Sequence, residues 1–147
     1  MNRKVLSILC AGSLLALVLA GCGGSADYAD GTYEGQSSVY EDEEDGDGNG
    51  YGVVSITVQD NVITDCTFQT FQVDGTPKDA DYGKANGVIA NEDYYNKAQR
   101  AVKACDEYAR QLVESGDVGD VDSISGATIN YNEFQDAVKD ALSQAKA

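Results

Sequence analysis

The stretch from Tyr51 to Val73 reads YGVVSITVQDNVITDCTFQTFQV, and its patterning decides the fold. Tyr51 to Gln59 and Val62 to Val73 are rich in Val, Ile, Thr and Phe, the side chains that fit a pleated, half-buried surface. Between them, Asp60-Asn61 is a two-residue break of the kind that tolerates left-handed backbone, so the two runs predict a β-hairpin. Upstream, Gly31 to Tyr40 sets Tyr33, Gly35, Ser37 and Val39 at alternate positions and predicts a first strand. The segment between, Glu41 to Gly50, holds six acids and three glycines. It offers nothing to bury and reads as an exposed loop.

Downstream the period changes. Ala90 to Ser115 predicts the longest helix, with Asn91 as its cap and Tyr94, Ala98, Ala101, Val102, Cys105, Tyr108, Ala109 and Leu112 on one apolar face, core by default. Gly116 to Asp120 stops it. Asn130 to Ala147 predicts a second helix, in which Phe134, Val138, Leu142 and Ala145 fall near the helical period and Asn130 and Glu133 have the spacing of a capping pair. Strands followed by helices predict an α+β fold: a small antiparallel sheet with two or more helices packed on one face, in a single domain without internal repeats.

The amino terminus has another purpose. Arg3 and Lys4 precede an apolar run from Val5 to Ala20, the layout of an export signal. The run ends in Leu19-Ala20-Gly21-Cys22, which resembles a lipobox. The resemblance implies a lipoprotein signal peptide over residues 1–21, acylation of Cys22, a lipidated tether over 22–30, and a domain over 31–147. The alternative, a retained membrane helix, is opposed by the shortness of the run, since a span needs ~20 apolar residues. Cleavage leaves 126 of 147 residues, enough for one domain, and because it removes Arg3 and Lys4 and no acid it takes the formal charge from -15 to -17. Such acidity opposes binding to nucleic acid and adsorption to anionic headgroups, so the membrane is held through lipid on Cys22. The expected place is the extracytoplasmic face of a bacterial cell membrane.

Just ahead of the second helix stands Asp122-Ser123-Ile124-Ser125-Gly126-Ala127-Thr128. The short residues Gly126 and Ala127 leave the Thr128 hydroxyl open to a modifying enzyme, and a helix start favours an anion by roughly 0.3 to 1 kcal/mol. As four letters, Ser-Gly-Ala-Thr is also only a loop feeding a helix, with Thr128 or Asn130 as cap and glycine for backbone freedom. The whole arrangement resembles the flavinylation motif of the FMN-binding domain family, which includes subunits of sodium-pumping NADH:quinone oxidoreductases. Gly31-Thr32-Tyr33 and Asp60-Asn61-Val62-Ile63-Thr64-Asp65 likewise look like the opening hairpin of those domains. The resemblance implies FMN esterified to Thr128, with Asp122, Ser125, Gly126 and Ala127 completing the cofactor site. Where family members often have a second hydroxyl residue two places beyond the threonine, this chain has Ile129-Asn130-Tyr131, which leaves tight noncovalent FMN as the alternative. With no histidine and few basic residues, the phosphate is expected to be held mainly by amides and hydroxyls, with at most a lysine or arginine helping, and an acidic environment without nearby cations is expected to lower the flavin potential.

Other features bound the reading. With Cys10 removed and Cys22 acylated, Cys66 on a strand and Cys105 on a helix are left either to form a disulfide or to serve as two buried small hydrophobes. No metal site is expected, since zinc, haem attachment and cysteine-ligated clusters lack their usual ligands. Asp45-Gly46-Asp47-Gly48-Asn49-Gly50 matches the first half of a calcium loop, but its twelfth position is Ile56, so a solvated acidic loop is favoured over a weak calcium site. Of nine tyrosines, Tyr131 is nearest in sequence to the proposed ester and is the candidate to stack on the flavin ring. No general base, nucleophile or catalytic residue stands out, so the expected role is an electron carrier or redox subunit. Its partners would be a flavin transferase and a membrane electron donor such as a quinone or an NADH dehydrogenase. The rival is a surface ligand-binding or adhesive lipoprotein without flavin.

Overall fold

The computed structural model describes residues 27–44, 46 and 48–147. The signal segment, Cys22, and Asp45 and Asp47 of the acidic loop lie outside the described residues. Strands β1 (Gly31–Gln36), β2 (Tyr51–Gln59) and β3 (Val62–Phe71) form an antiparallel sheet in that order. The β2–β3 turn is made by Asp60 and Asn61, whose φ angles of 51° and 62° are both left-handed, the requirement of a tight two-residue hairpin. The alternation holds along β2, where Val54, Ile56 and Val58 are buried, and from Cys66 through Phe68 to Thr70 of β3, with Ile56 opposite Cys66 and Val54 opposite Phe68; a register shift between Asp65 and Ile63 breaks it and still buries Ile63 opposite Val58.

Helices α1 (Glu92–Ser115) and α2 (Thr128–Ala145) cover the inner face, α1 over β3 and α2 over β1 and β2. Asn91 caps α1, its side chain accepting from the Tyr94 amide, and Gly116 ends it at φ 74°. The core joins sheet and helices through Phe68, Phe134 and Tyr108, with Phe68 edge-on to Phe134 at a centroid distance of 4.9 Å. The protein is thus a single α+β domain. Among the described residues no helix is long and apolar enough to cross a membrane.

Boundaries of β1, β3 and α2 differ from the sequence reading. β1 stops at Gln36, and Tyr40 rejoins the sheet only through an isolated bridge to Gly50. β3 stops at Phe71 because a turn begins there, with Gln72 N donating to Thr76 O at 2.8 Å. α2 starts at Thr128, two residues before the expected Asn130. Asn130 is no cap: it is buried against α1, its Nδ2 donating to Ala101 O at 2.9 Å and to the Cys105 sulfur at 3.4 Å. Residues 27–30 are tied to the domain, where Tyr28 bridges to Lys146 and the Asp60 amide donates to Asp30 Oδ1 at 2.8 Å.

Cys66 and Cys105 are both free and buried, which selects the small-hydrophobe reading over the disulfide. Burial pushes the Cys66 thiol up to about 12 and that of Cys105 up to about 11, so both are neutral near pH 7.

Candidate functional site

The loop from Asp122 to Ala127 is held from beneath by α1. The fully buried Tyr108 hydroxyl accepts from the Ile124 amide at 3.0 Å and donates to Ala127 O at 3.1 Å, clasping both sides of the Ser125-Gly126 turn. Gln111 accepts from the Asp122 amide at 2.7 Å. Gly126 has φ +83°, yet no heavy atom lies within 4 Å of where its Cβ would be. Backbone conformation, and not lack of space, is what requires glycine there. The chain then buries Ala127 and presents Thr128, exposed, as the first residue of α2. Ala127 caps that helix without a side-chain hydrogen bond, and the first amides of α2 have no acceptor within the helix.

This helix start forms one wall of a cavity of about 240 Å³. Gly126, Ala127, Thr128 and Asn130 line it on one side, Tyr94, Lys97, Ala98 and Ala101 of α1 on another, and Lys78 and Tyr82 from the β3–α1 loop close it. That loop is pinned by α1: Gln99 Nε2 donates to Asp79 O and Tyr82 O, each at 2.9 Å, and Tyr95 to Ala80 O at 2.9 Å. Lys78 is only 4% exposed, with its Nζ donating to Gly48 O at 2.8 Å and lying 5.4 Å from the Tyr82 ring centroid. Burial lowers its pKa, while the Glu133 carboxylate acts to raise it.

Further along α2, Glu133 is 3% exposed and neither carboxylate oxygen has a hydrogen-bond partner among the described residues. Burial pushes its carboxyl up to about 7, against the opposing pull of Lys78. The expected capping role of Glu133 is therefore replaced by a buried acid. The cause is the early start of α2, which carries position 133 past the first turn and onto the inward face.

The structure brings Gly126, Ala127 and Thr128 to the cavity wall, whereas Asp122 and Ser125 are exposed and do not line it. Tyr131 does not line it either. Its hydroxyl donates to Val121 O at 3.1 Å and its ring lies against Tyr108, so it braces the loop from inside. Tyr82 and Tyr94 are the aromatic residues at the cavity, and Tyr94, assigned from sequence to the core stripe, stands at its edge. The cavity beside Thr128 is not without cations. Two of the ten basic residues line this one cavity. No local pattern marks Lys78 or Tyr82; the scarcity of cations was the one signal that made each lysine worth locating. Two lysines, unpaired helix amides, tyrosine faces and one exposed hydroxyl suit an anionic ligand with a flat ring.

A family model described as FMN-binding domain matches residues 48–143, a range that includes the Asp122–Thr128 motif and leaves β1 outside. The crystal structure of the CPE2226 protein from Clostridium perfringens is similar in fold, with a TM-score of 0.58 at 22% identity over 80% of this chain and 88% of that one. A solution structure of a Clostridium thermocellum protein is 23% identical over 78% of this chain and 90% of that one, at a TM-score of 0.40, and adds no weight. No curated protein matches the chain.

Proposed function

The chain belongs to the FMN-binding domain family, and from that premise we propose that it is a lipid-anchored, extracytoplasmic electron carrier with FMN esterified to Thr128. FMN is its cofactor. The finer parts of the proposal are the ester, which a flavin transferase would install, the anchor at Cys22, and transfer of electrons from a membrane donor such as a quinone or an NADH dehydrogenase.

The residues of the cavity fit the group. Thr128 offers its hydroxyl at a helix start, where the first amides favour a phosphate, and the space beside Gly126 is open. Lys78 and Lys97 supply positive charge in a chain of formal charge -15, and Tyr82 and Tyr94 offer ring faces. When bound, FMN supplies one- and two-electron redox chemistry that no side chain here can perform. The protein's part is to fix the group against α1, limit water on the buried side, and leave the other side open to a partner.

The observation that carries the proposal is the convergence of an exposed Thr128 and two lysines on one cavity. The chain made together with a flavin transferase is expected to give a yellow protein whose fluorescence stays with the band on a denaturing gel, and the Thr128→Ala variant a dark band. A colourless wild-type protein would contradict the cofactor site. Colour lost on denaturation would contradict the ester alone.

A further inference from the structure

Glu133 is a buried acid without a donor among the described residues, within the field of a lysine that lines the cofactor cavity. The groups around it come from several elements. The loop after β3 contributes Lys78, and α1 contributes the Cys105 thiol, which burial keeps neutral. β2 contributes Gly52, whose missing Cβ would sit 3.2 Å from that of Glu133 and which carries no charge. On its other side Glu133 borders a separate groove shared with Tyr40, Tyr131, Asp136 and Lys139. Lys78 Nζ makes its hydrogen bond to Gly48 O and none to Glu133, so the two interact through space only.

We propose that Glu133 takes up a proton when an anionic group of the cofactor is seated beside Lys78, which makes cofactor binding and protonation of this buried acid one linked event. The inference rests on the FMN site proposed above. Its physical basis is competition for one cation. While the cavity lacks an anion, the Lys78 charge is the chief support for an ionised Glu133, whose oxygens have no donor to replace it. An anion arriving in the cavity offsets that charge, and the carboxylate is left buried and unsupported. The proton comes from solvent by way of the Tyr40–Lys139 groove and bonds to a Glu133 Oε, while the Lys78 ammonium keeps its protons. One negative charge enters the cavity and one is neutralised at Glu133.

The test is titration of the full chain, made without flavin transferase, with FMN at pH 6 and pH 8, followed by flavin fluorescence. Wild type is expected to lose roughly tenfold in affinity over this range relative to Glu133→Gln, which corresponds to one linked proton. The ionisation of the FMN phosphate itself is common to both proteins and cancels in that ratio. At pH 8 Glu133→Gln is expected to bind FMN the more tightly. Lys78→Gln is expected to bind weakly and to follow the same pH profile as Glu133→Gln. An infrared band of a protonated acid should appear when FMN is added to wild type at pH 8 and be missing in Glu133→Gln. If FMN binds with the same pH profile in wild type and Glu133→Gln, the linkage is overturned and the site stands. If none of the three proteins binds FMN at either pH, the site itself fails and the linkage with it.

Discussion

The hydroxyl of Tyr108 joins Ile124 N to Ala127 O, so one buried phenol sets the geometry of the turn that presents Thr128 twenty residues further along the chain. Tyr108→Phe would keep the ring in the core, leave the half-buried Ile124 amide without this acceptor, and leave Ala127 O with the Tyr131 amide as its donor. The expected cost is about 1–3 kcal/mol, read as a lower urea midpoint, together with slower attachment of FMN at an otherwise intact Thr128. An unchanged midpoint would show that the clasp is dispensable. This residue was visible in the sequence only as one member of a helical stripe. Its polar end found its role through the packing of α1 under the loop, a contact between segments that no local pattern encodes. Gly126 is the contrast: a glycine beside an alcohol reads as a turn from sequence alone, and its φ of +83° is a turn.

At the scale of elements, β2 was legible to the residue because alternation and the Asp60-Asn61 turn are local signals that agree with each other. The start of α2 was not, because tertiary contacts decide it. Asn130 makes a good cap in isolation, yet α1 offers it the Ala101 carbonyl, and the helix extends back to Thr128. That two-residue difference matters functionally, since it moves Thr128 from the approach to the helix onto its first turn. How closely α2 approaches the sheet is set by Gly35 of β1, where a Cβ would lie 2.1 Å from Ala137 O and 2.4 Å from Ala141 N. Both atoms are backbone and cannot swing aside. Gly35→Ala is therefore expected to destabilise by about 1–3 kcal/mol or more, measured by urea unfolding, because α2 must lift off β1. A neutral effect would contradict the close packing of this pair.

Across the whole molecule, the cavity joins residues from positions 48 to 130, and its lysines and tyrosines lie on different elements. Fold class and motif could be read from runs of residues; the other walls of the site could not, because they meet only once the sheet is covered. One global consequence concerns pH. The Glu133 carboxyl is raised from 4.5 to about 7 in the folded protein, so between these values the native chain keeps a proton that the unfolded chain has lost. Stability from this group is full below about 4.5 and falls as pH rises toward 7, by up to roughly 3 kcal/mol. Urea midpoints at pH 5 and pH 7.5 should show this loss in wild type relative to Glu133→Gln, since the other carboxylates cancel in the comparison. Equal pH dependence in the two proteins would contradict a buried acid at position 133. The claim on which the rest depends is the fate of the Thr128 hydroxyl, and intact-mass measurement of the chain coexpressed with a flavin transferase tests it most directly. A gain of one FMN less one water is expected in wild type and no gain in Thr128→Ala. A wild-type chain of unmodified mass, or an FMN gain that survives Thr128→Ala, would contradict it.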